Sequence, residues 1–146
     1  MGVDELIEAS RATVTVRLAA GVGALAGLTT TLTGVQLLGF TWRESWRNAV
    51  PYVFLLLGVA VFFAADAINR GRAIGAYALP AANGLALLAA LGWLVASFPT
   101  VMSLMLIVAI FATFGGLILS AVAFSQARRM AQAKAALEDE GLTLGM

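Results

Sequence analysis

Three side chains inside the apolar stretches of this chain could take part in chemistry: the carboxylate of Asp66 and the amides of Asn83 and Gln36. Burying such groups in a membrane is costly, so they usually have a role there. A carboxylate can carry a proton or an ion, whereas amides bind backbone groups or neighbouring subunits. An enzyme would need a nucleophile, an acid–base pair or metal ligands that converge, and these stretches contain no such set. We therefore predict no catalytic activity, no metal and no cofactor.

Asp66 decides whether a transporter is the better hypothesis. It lies near the end of the second apolar stretch, four residues before Arg70 and on the same face of a helix. An acid this close to the membrane surface, beside an arginine, is most simply an ion pair that reaches the head groups. The alternative is a proton- or ion-binding site. We favour the ion pair and leave the alternative open.

The two amides each have a structural and a functional interpretation. Pro80 either begins the third helix or kinks it by freeing the carbonyl of Ala76, and Asn83 could bond such freed backbone groups. A broken helix with a polar side chain is also how some transporters build sites. We favour the structural interpretation for Asn83. Gln36 lies near the outer end of the first stretch and either reaches the head groups or bonds a neighbouring subunit.

The composition is that of a membrane protein. The 146 residues are 61% hydrophobic and 12% charged, and the mean hydropathy is +0.93. The absence of Cys and His excludes disulfides, thiolate metal sites and histidine-ligated haem. A net charge of +1 gives no basis for binding nucleic acid. The acidic N-terminus does not resemble a cleavable signal peptide.

Four apolar stretches are each close to the roughly 20 residues that cross about 30 Å of hydrocarbon. They predict an all-α fold: an integral membrane four-helix up-down bundle, formed by a single membrane domain over residues 1–146. We expect helical extensions at both termini, of which the C-terminal one is a cytoplasmic tail over 125–140. The predicted spans are 18–40, 50–68, 74–98 and 101–124.

The distribution of basic residues predicts the orientation. Seven lie in the N-terminal segment, the second loop and the C-terminal tail, against two in the first loop and none in the third. By the positive-inside rule both termini are cytoplasmic. Arginine outnumbers lysine eight to one, a composition associated with GC-rich bacterial genomes. We therefore predict a multi-pass protein of a bacterial inner membrane.

Small residues and interfacial residues predict how the helices pack and where they end. A Gly-x-x-x-Gly step on the first helix lets helix backbones approach closely, and the fourth helix carries small residues at the same spacing, Ala112, Gly116 and Ser120. Such spacing predicts intrachain packing and no open pore through one subunit. Tryptophans and arginines in the first loop are typical membrane-interface anchors, although they could instead form a docking surface. The packing residues are Gly23, Gly27, Gly34 and Gly116, and the anchors are Trp42, Arg43, Trp46 and Arg47.

Elimination leaves one favoured function and one alternative. The favoured one is a non-catalytic accessory or scaffolding subunit of a larger membrane protein complex, because so few polar groups lie within the spans. The alternative is a small homo-oligomeric transporter or channel that uses Asp66, which would need several copies to line a pathway. The expected partners are the lipid bilayer and other membrane protein subunits or copies of the chain itself.

Overall fold

A computed structural model describes residues 2–11, 13–38, 49–97 and 104–139, and within these ranges the chain is helical and contains no strand. The last four of its helices are long and apolar enough to cross a membrane. The all-α prediction is therefore confirmed, and the helices indicate a multi-pass membrane protein; the bilayer limits of the spans stay predictions. The helices are α1 (Val3–Ala9), α2 (Val14–Leu38), α3 (Val50–Asn69), α4 (Ala73–Ser97) and α5 (Leu104–Asp139).

Local capping fixes where α2 begins. The hydroxyl of Thr13 accepts a hydrogen bond from the backbone N–H of Val16 at 3.3 Å, which satisfies one of the unpaired donors at the start of a helix. The same hydroxyl donates to the side-chain oxygen of Gln126 on α5. The start of α2 is therefore tied to α5 as well as capped.

A tight turn joins α3 to α4. The N–H of Gly71 donates to the carbonyl of Ile68 at 3.1 Å, and the N–H of Arg72 donates to that of Ala67 at 3.0 Å. These two bonds form a Schellman motif, in which the residue after the helix takes a left-handed conformation that glycine adopts most easily. Gly71 has φ of +72°. The chain reverses here within three residues, and α4 follows at once.

Each of the four long helices packs mainly against two of the other three. Helix α2 packs against α3 and α5, and α4 packs against the same two helices. Large side chains without solvent exposure fill the interior, and large apolar side chains on the outer faces are exposed, as expected for a surface covered by lipid. Phe54, Leu79 and Leu106 are among the buried residues, and Leu56, Leu88 and Phe111 are among the exposed ones.

Pro80 lies inside α4 and does not begin it. The first alternative, a proline that begins the helix, is therefore wrong, and the kink stays a prediction. Proline at this position removes one backbone donor of the helix.

Helix α5 is much longer than a membrane span. Its 36 residues extend over about 54 Å, against about 30 Å of hydrocarbon. Helix α1 lies against the C-terminal part of α5 through a small apolar cluster built on Leu6, Ala133 and Leu137. We call α1 together with residues 125–139 the terminal platform.

Candidate functional site

The α2–α3 interface is built on glycines whose missing side chains let the two backbones touch. A Cβ added at Gly27 would lie 2.8 Å from the carbonyl oxygen of Gly58, and one at Gly34 would lie 2.8 Å from that of Pro51. At Gly23 the added atom would lie 3.2 Å from the Cβ of Ala65. Gly27 and Gly34 thus lie against the backbone of α3, whereas Gly23 faces side chains of both α3 and α4, with Leu79 the nearest at 2.9 Å.

Gly58 is a packing residue that sequence reasoning missed. A Cβ there would lie 2.6 Å from the backbone nitrogen of Thr31 and 2.8 Å from the carbonyl oxygen of Gly27. The available signal was the single glycine of α3, which directly follows the large apolar residues 52–57. An isolated glycine in such a helix usually has a packing reason.

The fourth predicted packing glycine, Gly116, has a different neighbour. It faces the side chain of Asn83 on α4, which is 0% exposed. A Cβ at Gly116 would lie 3.0 Å from both Nδ2 and Oδ1 of that amide. Neither amide atom has a hydrogen-bond partner within the described part of the chain. The expected bond from Asn83 to freed backbone groups near Pro80 is therefore not formed there, because the side chain faces α5.

Two hydroxyl residues on α5 flank this contact, one turn away on either side. Thr113 and Ser120 are both fully buried. Thr113 donates to the carbonyl of Ala109 at 2.7 Å, and Ser120 donates to that of Leu117 at 3.0 Å. Both hydroxyls thus bond their own helix, as Ser and Thr do in apolar surroundings.

The threonines of α2 behave in the same way. Thr29 and Thr33 are buried, and they donate to the carbonyls of Leu25 (2.9 Å) and Thr29 (2.8 Å). Both hydroxyls thus bond carbonyls of their own helix. The hydroxyl of Thr30 is buried without a partner among the described residues. Gln36 is exposed, and its contact with a head group or a neighbouring subunit stays a prediction.

Asp66 forms the ion pair that its spacing suggested. The Nε of Arg70 lies 3.1 Å from both carboxylate oxygens, and the side chains of Arg70 and Asp66 are 56% and 47% exposed. Because the pair is so exposed, it contributes little to stability.

The three candidate polar groups do not form one site. Asp66 lies on the surface of α3, Asn83 between α4 and α5, and Gln36 on the exposed face of α2.

Asp66 also lines a groove of about 350 Å³ between α2 and α3. We call it the α2–α3 groove. Arg17 lies on its α2 side and Asn69 on its α3 side, so it contains a cation, an anion and an amide. Its remaining lining residues are mostly small: Ala20, Gly21, Ala24, Phe62 and Ala65.

A second cavity, of about 420 Å³, lies between the α3–α4 turn and the terminal platform, and both arginines of the turn line it. Lys134 of α5 donates a hydrogen bond to the carbonyl of Arg70 at 2.6 Å. Burial lowers the pKa of Lys134, and the nearby carboxylate of Glu138 partly opposes this. The lysine therefore fastens the turn to α5.

Several predictions lie beyond what the structure describes. Trp42, Arg43, Trp46 and Arg47 are outside the described residues, and their role as interface anchors stays a prediction. Among the described residues, no group of three or more His, Cys, Asp or Glu could hold a metal ion.

Comparison with family models, curated proteins and solved structures finds no match to this chain.

Proposed function

We propose that this chain is a non-catalytic accessory or scaffolding subunit of a larger membrane protein complex. The terminal platform is the observation that carries this proposal. Helix α5 continues about 15 residues past the predicted span, a length of about 22 Å, along which it packs first on the bundle through Ala127 and Met130 and then on α1. Helix α1 folds back onto it through Leu6 and Leu137, which are 7% and 1% exposed. Two packed helices outside the bilayer give a partner protein a firm surface to bind.

The filled interior supports the same proposal. Large side chains such as Phe54 and Leu106 are fully buried between the helices, and the glycines of α2 bring its backbone against α3. A bundle packed in this way leaves its outer faces and its ends for interaction. These are the surfaces through which a scaffolding subunit acts.

We also propose the up-down arrangement with both termini in the cytoplasm of a bacterium. Contacts in opposite order along α2 and α3 support it, since Gly34 lies near Pro51 and Gly23 near Ala65. The excess of basic residues at the termini supports the orientation. Because the chain has no native Cys, single introduced cysteines can test it. An impermeant maleimide should label Ser45→Cys in intact cells and Gln132→Cys only after permeabilisation; the reverse pattern would contradict the orientation.

The test of the accessory role is native mass spectrometry after mild extraction from the organism's own membranes. We expect the chain to leave with stoichiometric foreign subunits. Leu6→Asp should release α1 from α5 and lose those subunits while the chain stays in the membrane, because the charge cannot be buried against Leu137. Glu5→Gln changes an exposed neighbour and should keep them. Extraction as a pure homo-oligomer would contradict the proposal.

A small homo-oligomeric transporter or channel is the second candidate, and the position of Asp66 favours it. The carboxylate lies on an outer face of α3 together with Phe62 and Phe63, which are 50% and 66% exposed. In an oligomer, such an acid would face a neighbouring copy and could line a shared pathway. Asp66→Asn should then abolish flux in vesicles without unfolding the protein, whereas an accessory subunit shows no flux to lose.

A further inference from the structure

The α2–α3 groove combines charged groups at one end with small apolar residues along its length. Arg17, Asp66 and Asn69 provide the polar end. The floor is open at Gly21, where an added Cβ would meet nothing within 4 Å. Apart from the polar residues, Phe62 is the only large side chain among the described residues that line the groove, and the others are alanines and a glycine. The groove is therefore a slot that is polar at its end and apolar along its wall.

The polar end lies where lipid head groups are expected. Asp66 and Asn69 belong to the last turn of α3, and Arg17 belongs to the first turns of α2. Both segments lie at the ends of membrane-length helices, where the hydrocarbon gives way to head groups. A molecule that fills the groove at this depth has one end in hydrocarbon and one end among charges.

The charges of the groove are those that a zwitterion requires. The guanidinium of Arg17 offers several N–H donors suited to a phosphate. The carboxylate of Asp66 is 47% exposed and receives only the Nε of Arg70 among its described contacts. A carboxylate has about four lone-pair sites, so it retains the capacity to accept further N–H donors.

We propose that the α2–α3 groove binds a glycerophospholipid with a primary-ammonium head group, such as phosphatidylethanolamine. Its phosphate pairs with Arg17, its ammonium donates to Asp66, and one acyl chain lies along Gly21 and Ala24. Selectivity comes from the head group, because the acyl chain is in apolar surroundings whether it lies in the groove or in the bilayer. The proposal requires a membrane protein and does not depend on the accessory role.

Two other head groups fit the same groove less well, and the reason is chemical. Phosphatidylcholine keeps the phosphate and the positive charge, but its quaternary nitrogen has no N–H to donate to Asp66. Phosphatidylglycerol keeps the phosphate and offers no cation, so Asp66 would repel it. The comparison of these three lipids therefore isolates the ammonium–carboxylate contact.

The experiment is native mass spectrometry of the full-length chain in detergent micelles with equimolar phosphatidylethanolamine, phosphatidylcholine and phosphatidylglycerol of identical acyl chains. We expect the phosphatidylethanolamine adduct of the native chain to exceed each of the others several-fold. Asp66→Asn should reduce that adduct to the level of phosphatidylcholine, and Arg17→Gln should lower all three. Arg129→Gln, on the terminal platform, is the distant control and should change none.

Arg70→Gln separates the carboxylate from its ion pair. It breaks the pair and leaves the carboxylate in the groove, so the preference for phosphatidylethanolamine should persist. Circular dichroism of each variant checks that the helices remain. Equal adducts of the three lipids on the native chain, a preference for phosphatidylglycerol, an unchanged preference in Asp66→Asn, or a dimer in which a second copy excludes lipid would each overturn the proposal.

Discussion

The two interfaces that contain the packing glycines differ in what occupies the space a side chain would fill. Between α2 and α3, Gly27 and Gly58 bring one backbone against the other. Between α4 and α5, Gly116 makes room for the amide of Asn83, which is buried and unpaired within the described chain. The first contact is between backbones, and the second is between a backbone and one polar side chain.

This difference shows that the same sequence signal has two structural meanings. Small residues at helical spacing indicate close approach, but they do not say what approaches. A backbone cannot move away from an added methyl group without displacing the whole helix. A side chain can turn or be replaced. The two interfaces should therefore respond differently to the same Gly→Ala change.

The largest expected effect is that of Gly58→Ala. Its new methyl group would lie 2.8 Å from the carbonyl oxygen of Gly27 and closer still to Thr31, so α2 and α3 must separate. We expect a loss of about 3 kcal/mol or more in the free energy of unfolding, at the upper end for overpacked cores, as measured by unfolding in mixed micelles. Gly92→Ala is the matched control, because nothing lies within 4 Å of its added Cβ. Equal stabilities of the two variants would contradict a backbone contact between α2 and α3.

Gly116→Ala should have a smaller effect, because its methyl group meets a side chain. The Cβ would lie 3.0 Å from both polar atoms of Asn83, and overpacking of this kind costs about 1–3 kcal/mol. In an Asn83→Ala background the same change should cost almost nothing. A double-mutant cycle in the same unfolding assay measures this coupling. Additive effects of the two substitutions would show that the contact is not direct.

Asn83→Leu should stabilise the protein slightly. Leucine has a similar size and carries no polar atom, so the cost of burying an unpaired amide disappears. We expect a gain of about 1 kcal/mol in the free energy of unfolding. A loss of similar size would mean that the amide has a bonded partner, such as an ordered water. Thr113→Val tests a hydroxyl that is bonded to its own helix and should not stabilise.

The smallest expected effect is on the pH dependence of stability, and it concerns Lys134, which is bonded to the α3–α4 turn. Burial lowers the pKa of Lys134, so the unfolded chain holds this proton to higher pH than the folded chain does. Stability should therefore rise with pH through the window just below the ordinary lysine range. Lys134→Met should remove this rise and the bond to the carbonyl of Arg70. Arg129→Gln should retain it when unfolding is followed at several pH values.

Single-helix features were accessible from the sequence. Long apolar stretches predict membrane-length helices because a bilayer leaves the backbone few alternatives. The spacing of Asp66 and Arg70 predicted their ion pair, since both residues lie on one helix. Gly23 and Gly27 could be assigned to a packing face for the same reason.

Contacts between helices were not accessible from the sequence. The pairing of Asn83 with Gly116 depends on how α4 and α5 are rotated about their axes, which no local pattern specifies. The contact of Leu6 with Leu137 joins opposite ends of the chain. Both residues have charged neighbours in the sequence, which indicate solvent exposure and not a buried contact. The groove that contains Arg17 and Asp66 also needs two helices to exist. For this reason the individual candidate residues could be named, but their surroundings could not.

The length of α5 has a mechanical consequence. Because the helix runs without interruption from Leu104 to Asp139, a tilt of its axis moves all of its residues together. A tilt of about 10° at the start of the predicted tail would carry the far end, some 22 Å away, through about 4 Å. Lys134 connects the C-terminal part of α5 to the α3–α4 turn. A displacement of α1 would therefore reach the α3–α4 turn through α5, and a shift of that turn would reach α1 by the same route.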